Sequence, residues 1–295
     1  MAGGAVMHIG IIGAGKVGSA FGCILKSKGY EISGVVSKRA ESAKILADRV
    51  NAIATTKLRE GLTDAEIVLI TTPDCAIADV VKEIAAMGRI GREKFIFHVC
   101  GSQSSEVLAP LKENGWTVGS MHPLQAFADV ETAIGLLPGT YFAIDGDREA
   151  IVVAKQMIQA IGGQTFAVPS EQRGLYHAAA CMASNYTVAL VHAATQLLAK
   201  FGIKEAEGIE ALMPILQGTL TNIQKQGTVK ALTGPIVRGD ALTVGKHREA
   251  IQSFAKAEVD LYQVLGTYTN GIARQQQHLS KRQLDALEKA LQQDE

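Results

Sequence analysis

Three short segments place hydroxyls, imidazoles, a thiol and an acid just past apolar runs: Thr71-Thr72-Pro73-Asp74, His98-Val99-Cys100-Gly101-Ser102-Gln103-Ser104 and Ser120-Met121-His122-Pro123-Leu124-Gln125. An imidazole at such a point either moves a proton near neutral pH or serves as a structural hydrogen-bonder, and the sequence leaves both roles open for His98 and His122, whose segments are expected to face the substrate, with His98 as a substrate contact. Gly101 with Ser102 and Ser104 offers N–H and O–H groups that suit a carboxylate or a developing oxyanion. Cys100 is as consistent with packing as with reactivity. A fourth group, His177, Cys181 and Asn185, repeats every four residues inside the stretch 174–199, which carries no formally charged side chain. On one continuous helix these three form a single stripe, either a reactive face or a satisfied core network. Arg238, in Thr233-Gly234-Pro235-Ile236-Val237-Arg238-Gly239-Asp240, is a candidate clamp for a substrate anion, with an ion pair to Asp240 as the alternative.

A glycine-rich loop accompanies them. Gly13-Ala14-Gly15-Lys16-Val17-Gly18 follows an apolar run and opens a helical segment. In that context Gly13 permits the tight turn, Gly15 lets the backbone approach a pyrophosphate, Gly18 lets helix and strand pack closely, and Lys16 and Val17 present N–H groups at the helix start. Enzymes that take NAD place an acidic residue at the end of the second strand, about 20 residues on, to bind the ribose hydroxyls. Here Ser37-Lys38-Arg39 stands there instead, a hydroxyl and two cations suited to a 2′-phosphate, so the expected cofactor is NADP. The alternative is that Lys38 and Arg39 are only a solvated helix start. Thr71, Thr72 and Pro73, after the fourth strand, are expected to border the nicotinamide ribose.

The elements that must position these residues follow from periodicity. Apolar, β-branched runs at 8–12, 32–36, 67–71, 95–99 and 117–121 alternate with helical segments, the signature of a doubly wound parallel sheet in an α/β fold. Ile67-Val68-Leu69-Ile70 has no polar alternate, so helices are expected on both sides of it. Runs at 140–144 and 164–168, with a helix over 148–161 between them, extend the sheet. Beyond Pro169 helical patterns take over, at 176–201, 205–226, 247–266 and 281–292. The reading is therefore an NADP-binding Rossmann domain over residues 1–168 and an all-helical substrate and dimerisation domain over 169–295, with segment 233–247 as a loop beside the cleft between them.

Composition narrows the function. Lysine plus arginine and aspartate plus glutamate number 29 each, so no net field draws the chain to nucleic acid or an anionic membrane. The four cysteines show no CxxC pair and no zinc-ligand spacing, and no metal is expected. Residues 1–6 lack a basic region and a long apolar core, so they read as a leader and not a signal peptide. The uncharged stretch 174–199 is long enough to span a bilayer, but Ser184, Asn185, Thr187, His177, His192, Thr195 and Gln196 would be costly in lipid. It reads as a central buried helix, and the whole as a soluble cytoplasmic protein.

With the loop, Thr-Pro-Asp, His-Val-Cys-Gly-Ser and Ser-Met-His-Pro-Leu-Gln-Ala-Phe in hand, the chain resembles bacterial Rossmann-like proteins carrying a C-terminal domain of unknown function 2520. The resemblance extends to Ala183-Ser184-Asn185-Tyr186 and to the Thr233–Asp240 segment. That family is similar, more distantly, to pyrroline-carboxylate reductase, ketopantoate reductase, the β-hydroxyacid dehydrogenases and deazaflavin-dependent NADP oxidoreductases. The resemblance implies a helical domain of the 6-phosphogluconate dehydrogenase C-terminal type and a homodimer built through it. It implies hydride transfer between NADP and a carbonyl or imine of a small anionic metabolite. The β-hydroxyacid and ketopantoate enzymes use a helical Lys-x-x-x-Asn pair, and Asn185 fits the asparagine as the group that orients substrate. Cys181 stands where the lysine would be, so His177, one turn earlier, or His122 is left to handle the proton. The substitution also supports a different reading, a non-catalytic NADP-binding sensor or assembly protein; hydride exchange with a deazaflavin is a third.

Overall fold

The computed structural model describes residues 7–88 and 94–292, so the leader expected over 1–6 lies outside the described residues. One sheet of eight strands runs in the order β3-β2-β1-β4-β5-β6-β7-β8. The strands are β1 (His8–Ile12), β2 (Glu31–Val36), β3 (Ile53–Thr55), β4 (Ile67–Ile70), β5 (Lys94–His98), β6 (Trp116–Pro123), β7 (Tyr141–Gly146) and β8 (Gln164–Ala167). Every neighbouring pair is parallel except β6 with β7. The chain builds outward from β1 to β3, returns to place β4 on the other side of β1, and so reverses direction between β1 and β4. In open α/β sheets ligands bind at the carboxyl ends of the strands on either side of such a reversal.

The sheet is covered on both faces. Ile67, Val68, Leu69 and Ile70 are each 0% exposed, and the side-chain period of two divides them between two cores. Ile67 and Leu69 join Ile9, Ile11, Phe21, Phe97 and Phe142 on one face, whereas Val68 and Ile70 join Ile12, Ile77, Ile96, Leu108 and Val118 on the other. The covering helices are α1 (Lys16–Ser27), α2 (Ala40–Val50), α3 (Leu58–Leu62), α4 (Asp74–Ala86), α5 (Val130–Leu136) and α6 (Arg148–Ala160), with a 3-10 helix over Ser105–Asn114. Strand β3 has no counterpart in the sequence reading, because its three residues are mostly exposed and give no apolar run.

Strands end at Ala167, beside the sequence boundary, but the first compact unit continues through α7 (Arg173–Ala183) to Ser184 and the second begins at Asn185. The single helix expected over 176–201 is two: Ser184 has φ −110° and ψ −72°, and α8 (Asn185–Ala199) starts after it. The second unit adds α9 (Glu205–Ala231), α10 (Ala241–Phe254), α11 (Val259–Gln275) and α12 (Lys281–Leu291). α9 bends at Gly227, where φ is 77°, one residue past the end expected for that helix. The helix expected over 247–266 is interrupted at Ala255 (φ −148°, ψ 52°), which separates α10 from α11. The loop expected over 233–247 closes at Asp240, whose carboxylate accepts from the Thr243 backbone N–H (3.0 Å) and hydroxyl (2.6 Å) to start α10.

Ile236, Val244, Ala273, Leu287 and Leu291 form the core of this unit, and Ser280 and Gln283 close a reciprocal capping box at the start of α12. α8 is not the buried helix expected from its lack of charge. Thr195 is its one buried residue, while Tyr186 (58% exposed) and Val188 (69%) face outward. Among the described residues no helix is long and apolar enough to cross a membrane.

Candidate functional site

The glycine loop sits at the carboxyl end of β1, next to the end of β4. Gly13 has φ +107°, and a Cβ there would lie 2.9 Å from the Thr71 carbonyl group. A Cβ on Gly18 would strike the Gly13 carbonyl oxygen and the Thr71 hydroxyl, so helix and strand approach as closely as glycine allows. Gly15 is different: a Cβ there would meet nothing within 4 Å, so the start of α1 is open above it. Thr71 is buried and its hydroxyl donates to the Gly13 carbonyl at 2.6 Å, while its N–H donates to Ile12 O at 2.8 Å. It therefore shapes the loop from below. The Thr72 hydroxyl is buried with no partner among the described residues, and Pro73 is the exposed residue ahead of α4.

At the end of β2, Lys38 and Arg39 are exposed, and among the described residues neither has a carboxylate within ion-pair distance. The Ser37 N–H donates to Thr55 O at 3.2 Å. The loop's N–H groups, an open helix start and two uncommitted cations lie on one edge of the sheet.

The two histidines at strand ends have opposite surroundings. His98 is 0% exposed, its Nδ1 accepts from the Cys100 N–H (3.2 Å), and its Nε2 faces the Ser104 carbonyl (3.0 Å). A carbonyl can only accept, so Nε2 carries the proton and the ring is neutral; burial pushes its pKa down to about 4. With both nitrogens committed to backbone, His98 is a turn-former and not the substrate contact expected from the sequence. Burial likewise raises the Cys100 thiol, which lies 3.2 Å from the Ser102 hydroxyl. Ser102 is exposed and donates to Asp74 at 3.1 Å.

His122 instead stands in a cluster of rings. Its Nδ1 is 2.7 Å from the Tyr176 hydroxyl, the two rings meet edge-on at 5.6 Å, and His177 lies edge-on at 6.2 Å. Both imidazoles reach over Gly101, where a Cβ would lie 2.7 Å from His177 Cδ2 and 2.8 Å from His122 Nε2. That residue is glycine because two rings share its space. Burial, with the Arg173 charge and His177, lowers the His122 pKa to about 4, and burial raises Tyr176 to about 12. Cys181 Sγ is 3.9 Å from His177 Nδ1, a loose contact.

Beneath this cluster lies a buried ion pair. Arg173 is 2% exposed, and its Nη2 lies 3.4 Å from Asp145 Oδ1 and donates to the Ser120 hydroxyl. Ser120 in turn donates to Asp145, whose other oxygen accepts from the Ser105 N–H at 2.9 Å. Arg173 Nε donates to Gln103 O at 3.2 Å, and its guanidinium carbon lies 5.6 Å from the centre of the Tyr176 ring.

The structure thus brings together Gly101, His122, His177 and Cys181, and adds Tyr176, Arg173 and Asp145, which the sequence reading missed. The helix expected to carry the stripe is interrupted at Ser184: His177 and Cys181 lie on α7 in the first unit, and Asn185, which is exposed, heads α8 in the second. Arg238 is exposed in the second unit, and no ion pair joins it to Asp240 among the described residues, since that carboxylate caps α10. Among the described residues no three His, Cys, Asp or Glu side chains are grouped to hold a metal.

His98 and His122 both have folded pKa values depressed from 6.5 to about 4. The unfolded chain then binds protons that the folded chain refuses, so stability is intact above pH 6.5 and falls as pH drops toward 4. The slope is about 1.4 kcal/mol per pH unit for each such histidine. Urea titrations of the wild type and His98→Gln across pH 4–7 should show a slope shallower by about one proton in the variant; equal slopes would contradict the assignment.

Residues 3–123 match the family described as a Rossmann-like domain, and residues 140–269 match the domain of unknown function DUF2520, which begins one residue before β7. Protein TM1727 of Thermotoga maritima is 26% identical, with 92% of this chain and 100% of that chain covered and a TM-score of 0.73. The candidate NADP oxidoreductase BF3122 of Bacteroides fragilis is 25% identical over 91% of this chain and 98% of its own, with a TM-score of 0.72. Pyrroline-5-carboxylate reductase of Streptococcus pyogenes shares the fold at 16% identity, covering 96% and 99% with a TM-score of 0.62. No curated protein matches the chain. The chain therefore carries a stretch that matches a Rossmann-like domain, followed by one that matches DUF2520 and starts within the same sheet.

Proposed function

We propose that this protein is an NADP-dependent oxidoreductase that reduces a carbonyl or imine of a small anionic metabolite. The observation that carries the reading is the loop at the β1 end: Gly15 opens onto free space at the start of α1, Thr71 fixes the turn beneath it, and Lys38 and Arg39 stand uncommitted at the next strand end. The loop N–H groups, with Lys16 and Val17, suit a pyrophosphate. Ser37, Lys38 and Arg39 suit a 2′-phosphate, and the unpartnered Thr72 hydroxyl with Pro73 suits the far ribose. His122, on β6, lies three strands from β1, about 14 Å at ordinary strand spacing, a distance that an extended dinucleotide spans. The Bacteroides protein named as an NADP oxidoreductase supports the same reading.

When bound, the reduced nicotinamide would supply the hydride. His122 and His177, which close together over Gly101, are the groups we assign to the proton that the substrate takes. Ser102 and Arg238 remain candidates for the substrate's negative group, and Asn185 for its orientation. Cys181, in place of the lysine that the resembling enzymes use, favours a second reading, an NADP-binding sensor that never oxidises the cofactor. We place the protein in the cytoplasm, where its thiols would stay reduced.

We also propose a homodimer through the helical unit. Ile215 (67% exposed) and Leu220 (64%) on α9, and Val264 (68%) and Tyr268 (71%) one turn apart on α11, leave more apolar surface bare than a stable monomer tolerates.

Two measurements follow. Calorimetry should show tighter binding of NADP than of NAD, and Arg39→Ala should weaken NADP selectively; one exposed charge-assisted contact is worth about 1 kcal/mol, or roughly fivefold. Equal affinities in the wild type would defeat the cofactor assignment. Light scattering at micromolar concentration should give twice the mass of the 295-residue chain, and a monomeric mass would defeat the dimer.

A further inference from the structure

We infer that Tyr176 is a positioning residue that donates its hydroxyl proton to His122 Nδ1 and thereby fixes His122 as the tautomer with its proton on Nε2, beside Gly101. The inference deepens the reductase reading and, for its proton step, rests on it.

The geometry is specific. The hydroxyl oxygen and Nδ1 are 2.7 Å apart, with the rings at 81°. The Tyr176 ring is held on other sides by Phe166, edge-on at 5.8 Å, and by the Arg173 guanidinium, 5.6 Å from its centre. A ring so supported cannot turn its hydroxyl elsewhere without breaking these contacts. Between a neutral phenol and a neutral imidazole, the phenol is the stronger donor and the imidazole lone pair the stronger acceptor, which sets the direction of the bond. Burial keeps both partners neutral across the physiological range, with Tyr176 pushed up to about 12 and His122 down to about 4. His122 Nε2 has no hydrogen-bond partner among the described residues, so its N–H is free for a ligand.

The consequence is a donor that works without an imidazolium. When a carbonyl or imine in this site gains a hydride at carbon, the π electron pair moves to oxygen or nitrogen, which then takes the Nε2 proton of His122. The Nδ1 lone pair takes the Tyr176 proton in return, so the imidazole stays neutral. The phenolate left behind lies beside the Arg173 guanidinium and recovers its proton from water.

The test is nuclear magnetic resonance of 15N-histidine-labelled protein, with the His122 signals assigned by their loss in His122→Gln. The wild type should show His122 Nδ1 unprotonated and Nε2 protonated. Tyr176→Phe, which keeps the ring contacts and removes the hydroxyl, should mix the tautomers and lower kcat by about tenfold or more while leaving the KM for NADPH unchanged. A protonated Nδ1 in the wild type, or a tautomer unmoved in Tyr176→Phe, would overturn the inference. The tautomer is read without turnover, so a protein that passes this test yet oxidises no NADPH would sink the reductase reading alone.

Discussion

The buried pair of Arg173 and Asp145 is the interaction on which the rest of the site depends. Burying either charge alone would cost several kcal/mol, and removing one partner from such a pair commonly costs about 3–5 kcal/mol. The pair is held by Ser120 on β6, by the Ser105 N–H at the start of the 3-10 turn and by the Gln103 carbonyl, so it joins four segments at one point. Arg173 is the first residue of α7, and Tyr176 and His177 follow at three and four residues, on the same helix face. Fixing the guanidinium under the sheet end therefore fixes those two rings above His122.

The loop and the ring cluster are two outcomes of one topology. Parallel strands present their carboxyl ends together, so Gly13 after β1, Thr71 after β4, Gly101 after β5 and His122 near the end of β6 lie along one edge. Glycine appears where another chain element must come close: Gly18 against Gly13 and Thr71, Gly101 beneath two imidazoles. The charges are divided along that edge as well. Uncommitted cations stand by the loop, whereas near His122 the one buried cation is already matched by Asp145. An anion is favoured at the first place and neutral proton donors at the second.

How much of this the sequence could convey depends on what each feature leaves in the residue pattern. The strands of the doubly covered sheet are legible because burial on both faces demands continuous apolar runs, as in Ile67-Val68-Leu69-Ile70; β3 is not, because an exposed three-residue edge demands nothing. The loop is legible because its glycines answer steric needs that no other residue meets. The breaks at Ser184 and Ala255 carry no glycine or proline, so periodicity runs straight through them, and Asn185 is misassigned to the helix of His177. His98 and His122 look alike in sequence, and only their partners separate them, two backbone groups for the one and a phenol for the other. Arg173 and Asp145 did leave a signal. Asp145 is the first charge after the apolar Tyr-Phe-Ala-Ile and Arg173 the last charge before the uncharged residues 174–199, and charges at such margins are found buried only when paired.

The account stands or falls on whether a hydride leaves the cofactor in this site. The most direct measurement uses NADPH carrying deuterium at the transferable position of the nicotinamide, incubated with the protein and a panel of small 2-oxo acids and cyclic imino acids, with the products read by mass spectrometry and deuterium resonance. The account predicts deuterium on the former carbonyl or imine carbon of at least one product, at a single face. Full retention of deuterium in tightly bound NADPH across the panel would contradict it and leave the protein a cofactor-binding sensor.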